Sequence, residues 1–200
     1  MIFRGPVRDV TVPDVTLSAF VLEHADARGG RPALIEGPTG RTLTHAEVAR
    51  AVRSVAAGLA ARGFGAGDVL ALCAPNAPEY AVVFHAVAAL GGVVTTINPA
   101  YTAKEMGFQL GDAGARLVIA AAPFEERARE AGADDVLVLG EAPFDELLAT
   151  EPAEPPADEG GPDDVVALPY SSGTTGLPKA SCSPTATSWP TCARSATSSR

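Results

Sequence analysis

The 200-residue sequence is short of cysteine, of basic residues and of long apolar runs. Only three Cys occur, with no Cys-x-x-Cys pair, which argues against a disulfide framework or a structural zinc site and suits a reducing cytoplasm. Lys and Arg number 15 against 24 Asp and Glu, a formal net charge of −9, so the basic footprint of a nucleic-acid binder is missing. Met1–Asp14, MIFRGPVRDVTVPD, has charges and prolines interrupting every apolar stretch and does not read as a secretory leader. The most membrane-like stretch, Ala81–Ile97 (AVVFHAVAALGGVVTTI), is broken by His85 and by Gly91-Gly92. It is also shorter than the roughly 20 apolar residues of a spanning helix, and reads as a buried helix running into a buried strand. What is present is globular: 46% hydrophobic and 20% charged residues, enough for one domain or one domain plus part of another.

Composition divides the chain into an α/β portion over 1–150, a linker over 151–164, a strand with a loop over 165–180, and a tail over 181–200. Glu151–Asp164 (EPAEPPADEGGPDD) has six acids, four prolines and no base, and is expected to be a solvated, semi-extended linker. Ser181–Arg200 holds ten Ser or Thr and no Leu, Ile, Val, Phe, Asp or Glu, so no apolar face is available to bury and disorder is expected.

Within the first portion, short apolar runs alternate with helical patterns. Thr44-His45-Ala46-Glu47 is a capping box opening a helix over Leu43–Arg62, with Val48, Val52, Val55 and Leu59 at helical spacing and Gly63 to end it. Val69–Cys73, Val93–Ile97, Leu117–Ala121, Val136–Leu139 and Val165–Leu168 read as buried strands. Pro78 starts a helix to about Leu90, a second capping box at Thr102–Glu105 starts one to about Asp112, and Glu125–Ala131 is helical. The alternation predicts an α/β fold, a largely parallel sheet flanked by helices.

The stretch with chemistry in it is Tyr170–Lys179, YSSGTTGLPK. It follows a predicted strand. Gly173 and Gly176 permit turns that aim several backbone N–H groups inward, Ser171, Ser172, Thr174 and Thr175 add hydroxyl donors, and Lys179 adds a compact positive charge. Together these residue types suit a polyphosphate; the bland alternative is a Ser/Gly-rich surface turn. A Walker A loop is excluded by spacing, and GFGAGD at Gly63–Asp68 neither completes G-x-G-x-x-G nor follows a strand.

YSSGTTGLPK resembles the phosphate-binding signature of the AMP-forming adenylating enzymes, a family that includes acyl-CoA synthetases, 4-coumarate–CoA ligases, luciferases and peptide-synthetase adenylation domains. The upstream run from LTHAEVAR to NPAYTAKEM resembles the 4-coumarate–CoA ligase branch in order and spacing, and the resemblance spans about Pro13–Lys179. It implies ATP, Mg2+ and coenzyme A as cofactors or co-substrates, and a small carboxylic acid as substrate. The acid attacks the α-phosphorus of ATP, pyrophosphate leaves, and a thiol then displaces AMP. Matching positions give Ser171, Ser172, Gly173, Thr174, Thr175, Gly176 and Lys179 as the phosphate contacts, with no nucleophile among them.

After Lys179 the family continues with Gly, a short apolar run and Thr-His, whereas this chain reads ASCSPTATSWPT. Adding one G before the codon of Ala180 lets the tail be read as GVLLTHRNLVANLRQIRDIV, which is family-like. This suggests a one-nucleotide deletion or sequencing error at that junction, testable at the DNA level. On this reading the chain is an N-terminal fragment, inactive in adenylation by itself and prone to aggregate. Two alternatives stand beside it: a non-catalytic remnant with at most weak phosphate binding, and an adenylating enzyme with a carrier protein or another acceptor.

Other residues read as structural. His24, His45 and His85 are too scattered for a metal site, with His85 expected in a helix core and His45 at the surface. Cys73 reads as a small buried hydrophobe, Asn98-Pro99 and Tyr101 as a turn, and Glu125–Glu126 and Asp134–Asp135 as solvated faces.

Overall fold

A computed structural model describes residues 15–153, 164–171, 179–180 and 183–184. Helices α1 (Leu17–Leu22) and α2 (Ala25–Arg28) lead into an antiparallel hairpin of β1 (Pro32–Ile35) and β2 (Thr42–Thr44). Then come α3 (His45–Ala61), β3 (Val69–Cys73), α4 (Pro78–Ala89), β4 (Val93–Thr96) and α5 (Ala103–Ala113). The chain continues through β5 (Ala115–Ala120), α6 (Glu125–Glu130), β6 (Val136–Val138) and α7 (Ala142–Ala149). After the acidic linker, most of which lies outside the described residues, come β7 (Val165–Ala167), β8 (Tyr170–Ser171), β9 (Lys179–Ala180) and β10 (Ser183–Pro184). Apart from β10, the tail over 181–200 lies outside the described residues.

The main sheet has the order β10-β7-β4-β3-β5-β6. All its pairings are parallel except that of β10 with β7, which is the α/β arrangement the alternation predicts. Strand β3 shows why helices must cover both faces. Side chains alternate across a sheet, and in this strand Leu70 and Leu72 face one layer while Ala71 and Cys73 face the other, all fully buried. Val52, Val55 and Leu59 of α3, Val83 and Val87 of α4, and Phe144 and Leu147 of α7 close the first layer. Met106 and Leu110 of α5 and Ala128 of α6 close the second. Full burial of one such Leu or Val stabilises by about 1.5–3 kcal/mol.

Both capping boxes form. Thr44 accepts from the Glu47 amide while the Glu47 carboxylate accepts from the Thr44 amide, and Thr102 and Glu105 repeat the arrangement at the start of α5. One boundary moves. Leu43 belongs to β2, and Thr44 is both the last residue of that strand and the cap of α3. His45 is half-buried at the helix start. His85 is also half-buried: Ser18 Oγ lies 3.3 Å from its Nδ1 and donates to its carbonyl at 3.0 Å, tying α1 to α4. Burial pushes its imidazole below the ordinary histidine range.

Candidate functional site

The crossover from β3 to β4 passes through α4 on one face of the sheet. The crossover from β4 back past β3 to β5 passes through α5 on the other. Adjacent strands whose connections leave on opposite faces open a crevice at their carboxyl ends, where open α/β sheets hold ligands. The crevice is present here as a cleft of about 470 Å³. Ala74 and Asn76 follow β3, Asn98, Pro99 and Tyr101 follow β4, and Tyr80 and Tyr170 close its sides.

The wall after β4 is built by short-range bonds. The Ile97 amide donates to the Leu72 carbonyl at 2.9 Å, the Ala100 amide to Asn98 Oδ1 at 2.9 Å, and the Tyr101 amide to the Asn98 carbonyl at 3.0 Å. This is the turn expected at Asn98-Pro99. Arg127 of α6 then fastens it from outside: Nη1 donates to the carbonyls of Pro99 at 2.6 Å and Tyr101 at 3.1 Å.

The approach to the candidate phosphate loop is held from α5. The Leu168 amide donates to the Val94 carbonyl at 2.9 Å, and the Leu168 carbonyl accepts from Thr95 Oγ1 at 2.9 Å. Thr95 Oγ1 in turn accepts from Gln109 Nε2 at 2.7 Å, and Nε2 also donates to the Thr96 carbonyl at 3.0 Å. Gln109 is fully buried and its Oε1 has no hydrogen-bond partner. A buried acceptor left unsatisfied costs about 1–3 kcal/mol. Two residues beyond Leu168, the Tyr170 hydroxyl donates to Asp112 Oδ2 at 2.5 Å. Burial, and then the bond to Asp112 and its charge, keep that phenol protonated far above its ordinary range.

Strands β8 and β9 pair antiparallel, with Ser171 opposite Lys179 and Tyr170 opposite Ala180. The backbone therefore joins the two ends of the decapeptide. Of the residues singled out as phosphate contacts, Ser171 and Lys179 lie in this pair, while Ser172, Gly173, Thr174, Thr175 and Gly176 lie outside the described residues. The sequence reading missed Thr95, Gln109, Asp112 and Arg127. One signal was available: Gln109 is a polar residue on the apolar stripe of α5 between Met106 and Leu110.

The remaining candidates have structural roles. Cys73 is fully buried, and burial pushes its thiol up to about 11 against the opposing charge of Arg127. Glu125 pairs with Arg129 at 2.8 Å and Asp135 with Arg62 at 3.0 Å. Among the described residues no group of three His, Cys, Asp or Glu is placed to hold a metal ion, and no helix is long and apolar enough to cross a membrane.

The sequence profile of the AMP-binding enzymes matches residues 21–186. The chain belongs to that family. It is 40% identical over 190 residues to 4-coumarate–CoA ligase CCL1 of Humulus lupulus, covering 89% of this chain and 35% of that protein. To 4-coumarate–CoA ligase 3 of Oryza sativa subsp. japonica it is 43% identical over 188 residues, covering 90% and 34%. The chain thus spans about a third of the length of these relatives. The fold agrees. The N-terminal domain of FACL13 from Mycobacterium tuberculosis superposes with a TM-score of 0.77 at 30% identity, covering 84% of this chain and 44% of that one. A Mycobacterium tuberculosis fatty acyl CoA synthetase superposes with a TM-score of 0.75 at 27% identity, covering 84% and 34%.

Proposed function

We propose that the chain is an N-terminal portion of a cytoplasmic AMP-forming carboxylate–CoA ligase, and that its own contribution is to bind the outer phosphates of ATP. The supporting observation is the β8–β9 pair, which brings Ser171 and Lys179 opposite each other next to Tyr170, a wall of the switch-point cleft. In the reaction, a carboxylate oxygen attacks the α-phosphorus, the bond to the bridging oxygen breaks and pyrophosphate leaves; a thiol then displaces AMP to give the thioester. Negative charge builds on the departing pyrophosphate. Donors held in place beforehand around the β- and γ-phosphates lower that barrier without rearranging. Ser171, Ser172, Thr174 and Thr175 supply hydroxyls, Gly173 and Gly176 allow backbone amides to converge, and Lys179 supplies the charge. Mg2+ would arrive as the counter-ion of the nucleotide and share the charge of the β- and γ-phosphates. Likeness to the 4-coumarate–CoA ligases supports an aryl or medium-chain carboxylic acid as the substrate class.

The test is titration calorimetry of the 200-residue chain with tripolyphosphate and Mg2+. Saturable binding is expected, and Lys179→Ala or the pair Thr174→Ala/Thr175→Ala is expected to weaken it about tenfold or more, the value of one charge-assisted hydrogen bond. Unchanged affinity in those variants would remove the phosphate role. Carboxylate-dependent ATP–pyrophosphate exchange is expected to be absent from this chain alone, and its presence would replace the fragment reading with a self-sufficient enzyme.

A further inference from the structure

We propose that α5 sets the position of the β8–β9 pair, with Asp112 and Gln109 as positioning residues for the phosphate contacts at Ser171 and Lys179. The inference rests on the polyphosphate reading of that segment and adds to it two residues on a distant helix.

Gln109 and Asp112 lie three positions apart on α5, which places them on one face of the helix. From that face two attachments reach the strand entering the loop. Gln109 Nε2 orients Thr95 Oγ1, whose hydrogen is thereby committed to the Leu168 carbonyl. Asp112 takes the Tyr170 hydroxyl directly, across 58 positions of sequence. Leu168 is thus held on both its amide and its carbonyl, and Tyr170 by its side chain, just before Ser171 meets Lys179. The helix is itself fixed at both ends, by the Thr102–Glu105 capping box and by Gly114 in the left-handed region at φ 66°.

Gln109 gives an independent reason to see more than packing. A leucine beside Met106 and Leu110 would bury no orphaned oxygen, yet the buried amide is there and both of its donor bonds run to β4. Its donors are what the position uses. An anion cradle of backbone amides binds well only when its ends are already placed, since ordering them on binding subtracts from affinity.

The experiment uses the 200-residue chain and its Tyr170→Phe, Asp112→Ala, Asp112→Asn and Gln109→Leu variants. Two quantities are read: affinity for tripolyphosphate with Mg2+, and ligand-free amide exchange at Tyr170, Ser171, Lys179 and Ala180. Tyr170→Phe and Asp112→Ala are each expected to weaken affinity about tenfold and to speed exchange at those amides but not in β3 or β5. The double variant Tyr170→Phe/Asp112→Ala is expected to be no weaker than either single one, and Asp112→Asn, which keeps an acceptor, to fall within about twofold of the unchanged chain. Gln109→Leu is expected to keep the thermal midpoint while weakening affinity several-fold. A purely structural role would lower midpoints and leave the affinity of the folded protein alone. Unchanged affinity in Tyr170→Phe or Gln109→Leu, or additive losses in the double variant, would overturn the proposal. If the unchanged chain takes up no tripolyphosphate, the polyphosphate reading fails by itself. The exchange rates then decide the positioning claim, which unaltered exchange at the four amides would sink.

Discussion

Arg41 and Glu79 meet fork to fork, with Nη1 donating to Oε1 at 2.6 Å and Nη2 to Oε2 at 2.7 Å. The pair ties the β1–β2 hairpin to the first turn of α4, where a carboxylate also suits the helix dipole. The bond to Arg41 holds the Glu79 carboxyl below the usual carboxylate range, with burial opposing. A group depressed in the folded state contributes stability above its unfolded pKa and loses it as pH falls through the folded value. Arg41→Ala is therefore expected to cost about 0.5–1 kcal/mol near neutral pH, a small figure because both side chains are partly exposed. In urea titrations the gap between the two proteins should narrow as pH falls below the ordinary glutamate pKa of about 4.3. A gap that stays constant with pH would assign the effect to packing.

Gly107 sits in the middle of α5 where that helix crosses the end of α6. A Cβ added there would lie 2.8 Å from the Ala131 carbonyl oxygen, a backbone atom with little room to yield. Glycine inside a helix ordinarily costs about 0.5–1 kcal/mol relative to alanine, so the sign of a substitution reports the contact. Gly107→Ala is expected to destabilise by about 1–3 kcal/mol. Gly111→Ala on the same helix, with nothing within 4 Å of the added atom, is expected to stabilise by about 0.5–1 kcal/mol. Equal effects at the two positions, read from denaturant midpoints, would contradict this account.

The parts of the fold written in local pattern could be read directly from the chain. Thr44 and Glu47, three residues apart, specify a helix start by themselves, and VLALC and LVIAA, short apolar runs set between helical patterns, read as buried strands. The β1–β2 hairpin was not legible. Its turn, Gly37–Gly40, lacks the two-residue Asn-Gly type signal, and its anchoring depends on Arg41 finding Glu79 38 positions away. Helix α7 was hidden because its eight residues offer only Phe144 and Leu147 as a fully buried face. For the site, composition picked out Tyr170–Lys179, but Asp112 and Arg127 are ordinary helix charges until the topology brings them to Tyr170 and to the turn after β4.

Cys73 closes β3 with no exposed surface, and its thiol is pushed up to about 11. The thiolate is the nucleophile, so both access and ionisation are denied. Near pH 8, iodoacetamide followed by peptide mapping should leave Cys73 unmodified in the folded chain and modify it fully in denaturant. Labelling of native Cys73 at the rate of a free thiol would show that the strand end opens readily.

Arg127 offers a way to disturb one wall of the cleft without entering it. Nη1 serves two carbonyls, those of Pro99 and Tyr101, and the guanidinium carbon lies 5.7 Å from the centre of the Phe124 ring. Hydrogen bonds from a charged donor are worth about 1.5–3 kcal/mol, and removing this one leaves two carbonyls without that partner. Arg127→Ala is expected to lose about 1–3 kcal/mol of stability. The amides of Ala100 and Tyr101, which depend on Asn98 for their bonds, should then exchange faster while those of β3 hold. Arg127→Lys keeps the charge but gives up the planar fork, and is expected to fall between the two. If Ala100 and Tyr101 exchange no faster in Arg127→Ala, the turn after β4 is held by its own short-range bonds, and α6 contributes nothing to the shape of the cleft.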